Sequence, residues 1–111
     1  MIYRAIGLMS GSSLDGLDIA FITFHELGGQ WSYTLQHAET ITYTNTWTHS
    51  LKHAAQLSVY DYYLLHTQYG VWIAQQVNAF INKHQLQHQV QLIASHGHTV
   101  LHHPAQHITT Q

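Results

Sequence analysis

Two glycine-containing turns divide the first part of the chain into stretches that resemble β-strands. Residues Ile2–Met9 are mostly apolar, and Leu17–Leu27 (LDIAFITFHEL) are rich in aromatic and β-branched side chains. The segment GLMSGSSLDGLD separates them, and Gly28–Gly29 forms the second turn. Strand-type sequence interrupted by glycine is typical of hairpins, because glycine adopts positive φ without steric cost. We therefore expect two antiparallel strands followed by a third.

The residues after Gly29 alternate between large and polar side chains. Trp31, Tyr33 and Leu35 fall on one predicted face, and serine, threonine and glutamine fall on the other. A period of two is the pattern of a strand that buries one face and exposes the other. The third strand is therefore predicted to be half-exposed.

Capping signals predict two helices after the third strand. Thr46 or Thr48 is placed to cap a short helix that runs through Leu57. Ser58, which is followed three positions later by an aspartate, resembles a capping box that opens a longer helix to about Lys83. Both helices precede the last predicted strand.

A short apolar run, VQLIAS at Val90–Ser95, follows the second helix. This is typical of a parallel strand that is buried on both faces. The order β-β-β-α-α-β predicts an α/β domain. A strand without a following helix leaves one sheet face uncovered, so we expect the natural chain to continue beyond the tail that follows Pro104.

Composition excludes several classes of function. Charged residues make up 7% of the chain, and the fixed cations are Arg4, Lys52 and Lys83, so no basic surface is predicted for nucleic acid. No apolar stretch is long enough to span a bilayer, and no membrane partner is expected. The chain has no cysteine, which agrees with a cytoplasmic location.

The twelve histidines and the aromatic residues have structural interpretations. The histidines follow no standard zinc-ligand spacing, and a bias toward histidine and glutamine explains them more simply than a metal site. The larger aromatic side chains are predicted to pack in the core and between helices; they are Trp47, Trp72, Tyr60, Tyr62 and Tyr63. Gly70 is predicted to permit close packing of the long helix.

The first turn carries more hydroxyl and carboxylate groups than a hairpin needs. Backbone N–H groups of a glycine-rich turn converge on phosphate oxygens, and Ser12 and Ser13 add hydroxyl donors. Asp15 and Asp18 are able to hold magnesium through water molecules when a nucleotide supplies the metal. The alternative is a plain hairpin turn with capping serines.

A second polar segment follows the last predicted strand. The carboxyl ends of parallel strands are where ligands bind in open α/β sheets, and Ser95–His98 lies there. Its serine and imidazole groups can bind hydroxyl, N-acetyl or carboxylate groups of a sugar. The alternative is that His96 only ties the loop to the interior.

These two segments resemble a known family. GLMSGSSLDGLD resembles the N-terminal motif of the anhydro-N-acetylmuramic acid kinases, which usually show a threonine at the position of Ser12. LIASHGHTVLHHP, at Leu92–Pro104, resembles their SHGQT segment, with His98 in place of the glutamine. The family belongs to the superfamily of sugar kinases, actin and heat-shock chaperone ATPases. The resemblance implies a ribonuclease H-like (actin-like ATPase) domain, of which residues 1–111 are the N-terminal part, with the remainder and a second domain absent.

The resemblance also implies site residues. In the family, the stretch that corresponds to the first turn contacts ATP phosphates, and the residues that match it here are Gly11, Ser12, Ser13, Leu14, Asp15, Gly16, Leu17 and Asp18. Met9 stands where the superfamily usually has an aspartate, so Asp15 or Asp18 is expected to serve Mg²⁺. The residues expected to bind the sugar are Ser95, His96, Gly97 and His98.

The function implied is that of a kinase that opens the 1,6-anhydro ring of anhydro-N-acetylmuramic acid with water and phosphorylates the sugar with ATP. The general base is expected beyond Gln111, so no catalytic residue is assigned here and this fragment alone is expected to be inactive. The alternative is a non-catalytic nucleotide-binding or assembly module of the same superfamily. The uncovered sheet face favours self-association into a homo-oligomer.

The two polar segments are expected to share one cleft. If the first strand runs parallel to the last and pairs with it, both strands end at the same sheet edge, so the loops after them lie together. A phosphate held by one loop then reaches a sugar held by the other, as in-line transfer requires.

Overall fold

A four-stranded mixed sheet forms the centre of the protein, and the computed structural model describes residues 1–111. Its strands are β1 (Ile2–Ser10), β2 (Gly16–Leu27), β3 (Gln30–Thr42) and β4 (Leu92–His98), in the spatial order β3-β2-β1-β4. Neighbours β1 and β2, and β2 and β3, are antiparallel, whereas β1 and β4 are parallel. The predicted α/β class is confirmed, and so is the order β-β-β-α-α-β as far as β4.

Two helices connect β3 to β4. Helix α1 spans Asn45–Lys52 and begins after Thr44, whose hydroxyl accepts a hydrogen bond from the Trp47 amide at 3.3 Å. The prediction of a cap at Thr46 or Thr48 and a helix through Leu57 was therefore wrong. Thr44 is the residue with extended backbone that directly precedes the first helical turn of α1. A separate 3₁₀ turn, Ala54–Gln56, follows α1.

Helix α2 spans Val59–Lys83, as its capping signal predicts. The Ser58 hydroxyl accepts a hydrogen bond from the Asp61 amide at 3.1 Å. After β4 the chain forms a small hairpin, β5 (Leu101–His103) and β6 (Ile108–Thr110), which the sequence patterns did not predict. None of the helices is both long and apolar enough to span a bilayer.

The core lies between α2 and one face of the sheet. Alternate residues of β1 and β2 point toward the helices, because successive side chains of a strand face opposite sides. The buried apolar side chains of this core are Ile6, Leu8, Leu17, Ile19, Phe21, Tyr43, Leu51, Val77, Phe80 and Leu86. Trp47 and Trp72 pack against this cluster, which confirms the structural role predicted for them.

Two packing predictions in α2 were wrong. Tyr60 and Tyr63 are exposed, because they lie on the side of the helix that faces away from the core. A Cβ atom at Gly70 would meet no atom within 4 Å, so this glycine is not a point of close packing. It lies instead beside an open cleft.

The opposite sheet face is apolar and open. A bulge in β3 reverses the direction of its side chains: Phe21 pairs with His37, but the next residue of β2 pairs with Leu35. Trp31 and Tyr33 consequently point away from α2 and are 63% and 71% exposed. The third strand therefore does not bury its large side chains, contrary to the prediction of a half-exposed strand.

Strand β4 is also more exposed than its sequence predicted. It pairs only with β1 and forms one edge of the sheet. Leu92 and Ile93, which point to opposite faces, are 61% and 50% exposed. The prediction of a parallel strand was correct, but burial on both faces was wrong because no further strand pairs with β4 and α2 covers mainly β1 and β2.

Candidate functional site

Strands β1 and β4 end at the same edge of the sheet. They are parallel, and their last residues, Ser10 and His98, are register partners. The turn after β1 (residues 11–15, here the first turn) and the end of β4 (Ser95–His98, here the second segment) consequently lie on that edge. The topology thus brings together the two segments, as the sequence argument expected.

The first turn presents donors outward. The Leu14 amide donates to the Gly11 carbonyl at 3.1 Å, which closes the turn, and Leu14 has a φ of 59°. Ser12 and Ser13 are exposed, and neither their amides nor their hydroxyls bond to another group of the chain. An anion at this turn would therefore find unused hydrogen-bond donors.

Several residues of this motif build the turn itself. A Cβ atom at Gly16 would lie 2.3 Å from the Ile41 carbonyl oxygen, so glycine is needed for the approach of β2 to β3. Leu17 is buried in the core, and Leu14 packs against the core cluster. A Cβ atom at Gly11, in contrast, would meet only the Ser13 hydroxyl at 3.7 Å.

The two carboxylates of the motif stand apart from the core. Asp15 is exposed, and Asp18 accepts a hydrogen bond from the Thr40 hydroxyl at 2.5 Å. The chain contains no group of three or more histidine, cysteine, aspartate or glutamate side chains that could hold a metal ion. Two exposed carboxylates nevertheless suit magnesium held through water, because that ion keeps several waters and takes its other ligands from phosphate.

The second segment bends sharply at Gly97, which has a φ of 75°. The Gly97 amide donates to the Ser95 hydroxyl at 3.1 Å. His96 is exposed, so the alternative in which His96 ties the loop to the interior is wrong. His98 is the residue that turns inward, and it is 8% exposed.

His98 belongs to a buried chain of hydrogen-bonding side chains. Its Nδ1 atom lies 2.9 Å from the Ser10 hydroxyl. The Tyr43 hydroxyl donates to the Ser10 hydroxyl at 2.7 Å and lies 2.6 Å from the Tyr69 hydroxyl. Ser10 comes from β1, Tyr43 directly follows β3, Tyr69 lies in α2, and His98 ends β4. Ser10, Tyr43 and Tyr69 were missed in the sequence because no local pattern relates positions so far apart.

Burial keeps this chain uncharged. Removal from water lowers the pKa of His98, and the nearby Ser10 backbone, which favours the charged ring, offsets this only in part. Burial also raises the pKa of Tyr43 above its usual range. His98 and Tyr43 are therefore both neutral near pH 7.

A cleft of about 320 Å³ opens beside the second segment. One wall is the residues Ser95–His98, and the other is the part of α2 that carries Leu65, His66, Tyr69 and Ile73. The first turn lies at the same sheet edge but does not line this cleft, so the prediction that both segments share one cleft was wrong. Of the predicted site residues, the structure thus places the second segment in a cavity and the first turn on an open surface.

An α/β domain with polar loops after parallel strands defines a class of protein that binds its ligands at that sheet edge. Residues 3–111 match the family model of anhydro-N-acetylmuramic acid kinase. The chain belongs to this family.

Relatives with this family name have been curated in several bacteria. The chain is 36% identical to the anhydro-N-acetylmuramic acid kinase of Rhodopseudomonas palustris over 118 residues, which cover all of this chain and 32% of that protein. It is 33% identical to the enzyme of Pseudoalteromonas translucida, over 89% of this chain and 26% of that protein. The chain therefore spans about a third or less of the length of these relatives.

Proposed function

We propose that the protein carrying this chain is an ATP-dependent anhydro-N-acetylmuramic acid kinase, and that residues 1–111 are the N-terminal part of its first, actin-like (ribonuclease H-like) domain. It would open the 1,6-anhydro ring and yield N-acetylmuramic acid 6-phosphate, in the recycling of cell-wall sugar. The observation that carries the proposal is the parallel pairing of β1 with β4, which brings the first turn and the second segment to one sheet edge. A cytoplasmic location follows from the use of ATP.

The first turn would bind the phosphates. The Ser12 and Ser13 amides and hydroxyls are free to donate to phosphate oxygens, and the open space at Gly11 lets them approach the backbone closely. Leu14, Gly16 and Leu17 would act by shaping the turn, through their side chains or the lack of one.

Asp15 and Asp18 would hold Mg²⁺ through water beside the phosphates. The metal would neutralise charge that develops on the transferred phosphoryl group. Neither carboxylate is assigned as the base that activates water. That base is proposed to lie in a part of the protein outside this chain, so residues 1–111 alone should show no turnover.

The second segment would bind the sugar. His96 and Ser95 are exposed at the cleft and carry hydrogen-bonding groups that suit hydroxyl or N-acetyl oxygens. Gly97 permits the turn that points these groups into the cleft, because its φ lies in the left-handed region.

The test is a phosphorylation assay on the full-length protein with ATP, Mg²⁺ and the anhydro sugar, with the 6-phosphate as the measured product. Gly11→Val would place a side chain where phosphate approaches, so we expect KM for ATP to rise about tenfold or more and KM for the sugar to rise by a smaller factor. The matched control is Gly7→Val, at a site in β1 where an added Cβ atom meets nothing within 4 Å.

The complementary variant is His96→Ala. Loss of one neutral hydrogen bond should raise KM for the sugar by about tenfold or less and leave KM for ATP unchanged. Equal effects of both variants on both substrates would contradict the division of roles between the two segments.

A second candidate function is a non-catalytic nucleotide-binding or assembly module. The open apolar face that carries Trp31, Tyr33 and Leu35 favours it, because such a face is typical of a surface that binds another protein surface or a second copy. ATP binding without any phosphorylated product in the same assay would support this candidate over the kinase.

A further inference from the structure

The buried chain that joins His98, Ser10, Tyr43 and Tyr69 links the two candidate binding segments directly. Ser10 is the residue immediately before the first turn, and His98 ends the second segment. Ser10 is 3% exposed and Tyr43 is 6% exposed, so water does not compete for their hydroxyl groups. The Ser10 and Tyr43 protons must therefore find acceptors among these side chains.

The direction of the hydrogen bond between Tyr43 and Ser10 fixes the order of the protons. The Tyr43 hydroxyl donates to Ser10, so Tyr43 accepts from Tyr69. The Ser10 proton then has one acceptor within reach, the Nδ1 atom of His98. If Nδ1 carried a proton and donated to Ser10, the buried Ser10 proton would have no acceptor. The neutral imidazole therefore carries its proton on Nε2.

The Nε2 atom of His98 is the ring nitrogen that remains free to meet a ligand. It makes no hydrogen bond within the chain, and the only fully buried polar side-chain atom without a partner is Thr23 Oγ1. Nε2 therefore reaches solvent, although the His98 residue as a whole is more than nine-tenths buried. Because His98 lines the cleft, that solvent is the solvent of the cleft.

We propose that Ser10 and Tyr43 are positioning residues that hold His98 in its Nε2–H form, so that His98 acts as a one-way hydrogen-bond donor to an oxygen of the ligand in the cleft. The assignment of that ligand as the anhydro sugar rests on the proposed function. The assignment of the proton does not, because it follows from contacts among residues of this chain.

A fixed donor selects ligands differently from an amide. A glutamine side chain, which the family motif carries at this position, both donates and accepts, so it suits a hydroxyl or a carbonyl. His98 in its Nε2–H form accepts nothing, and it favours a ligand group with free lone pairs, such as an N-acetyl carbonyl, a carboxylate or an ether oxygen. A ligand that offers only an N–H donor would be rejected.

Nitrogen NMR of the full-length protein labelled with ¹⁵N-histidine tests the proton assignment without any assay of activity. The signals of His98 are those that disappear in His98→Gln. Near pH 7 we expect a protonated Nε2 and an unprotonated Nδ1. A protonated Nδ1, or a doubly protonated ring, would overturn the proposal.

Ser10→Ala tests the role of the hydroxyl chain. We expect the His98 signals to move toward an average of the two neutral forms, and Ser10→Thr, which keeps the hydroxyl, to restore them. If Ser10→Ala does not fold, Tyr43→Phe keeps the aromatic ring and removes only the donor to Ser10. Unchanged His98 signals in the folded variants would contradict the positioning role.

Kinetics of the full-length protein then test the donor role. His98→Gln retains an N–H donor and should keep KM for the sugar within about threefold, whereas His98→Leu should raise it about tenfold with KM for ATP unchanged. Equal KM values for both variants would overturn the donor role. Absence of any phosphorylated product would reject the proposed function instead, and the NMR result would still decide the proton assignment.

Discussion

Gly16→Ala tests whether Gly16 is needed for folding, in contrast to Gly11, which is proposed to be needed for ligand binding. Gly16 begins β2, directly after the first turn, where it pairs with Thr42 of β3. A Cβ atom there would lie 2.3 Å from the Ile41 carbonyl oxygen and 2.9 Å from its carbonyl carbon. Both contacts are to backbone, so no side-chain rotation relieves them.

The expected destabilisation follows from these distances. Ordinary contacts to a methyl group begin near about 3.4 Å, so β3 must move away by about 1 Å at a position where it is paired with β2. Overpacking of this kind typically costs about 1–3 kcal/mol, and the rigid backbone places this variant at about 3 kcal/mol. Domains typically have a free energy of unfolding of about 5–15 kcal/mol, so a decrease of about 3 kcal/mol removes a large fraction of that stability.

Urea denaturation followed by circular dichroism measures the effect, with Gly11→Ala as the matched control. Both variants remove one glycine from the same motif, and so share the change in the unfolded chain. At Gly11 the nearest atom would be 3.7 Å away, so we expect its stability to stay within about 0.5 kcal/mol of the parent or to rise slightly. A Gly16→Ala midpoint equal to that of Gly11→Ala would refute the reasoning.

Three further predictions concern the pH dependence of stability and the open sheet face. Burial lowers the pKa of His98 below 6.5, so between 6.5 and the lowered pKa the unfolded chain binds more protons than the folded chain. The free energy of unfolding should therefore fall as the pH drops from 6.5 to the lowered pKa, and it should level off below that pKa. His98→Gln should lack this component in urea midpoints measured at about pH 7.5 and pH 5. Hydrogen bonds from Lys83 and His84 lower the pKa of Glu39 below 4.5. Glu39→Gln should therefore lower the free energy of unfolding by less than about 1 kcal/mol above pH 4.5, and the two proteins should become equally stable as pH falls through the lowered pKa. Trp31→Ser should reduce self-association measured by light scattering, whereas Tyr63→Ser, at an equally exposed site on α2, should not.

Features set by neighbouring residues were predictable from the sequence. The start of α2 after Ser58 follows from a hydroxyl and an aspartate one helical turn apart, and the structure has this cap. The turn at Gly28–Gly29 is equally local, since both glycines have positive φ. The parallel pairing of β1 with β4 was less local, but a crossover through a helix leaves few other arrangements.

Features that depend on distant parts of the chain were not predictable. The bulge opposite Phe21 lets His37 face α2 and turns Leu35 to the open side, and no alternation within β3 alone signals it. Exposure of β4 depends on which strands and helices flank it, not on its own apolar sequence. The partners of Ser10 lie 33 and 88 residues away, so only the folded chain brings them together.

The two segments at the sheet edge are not independent, and Ser10 is the reason. It is the last residue of β1, where the first turn begins, and it is also the hydrogen-bond partner of His98 in β4. A ligand that pulls on the first turn therefore acts on the side chain that orients His98 in the cleft. Because both contacts share one residue, the effects of a change in the first turn and a change at His98 should not add. A double-mutant cycle of Gly11→Val and His98→Leu that proves additive in KM for the sugar would show that the buried chain does not couple them.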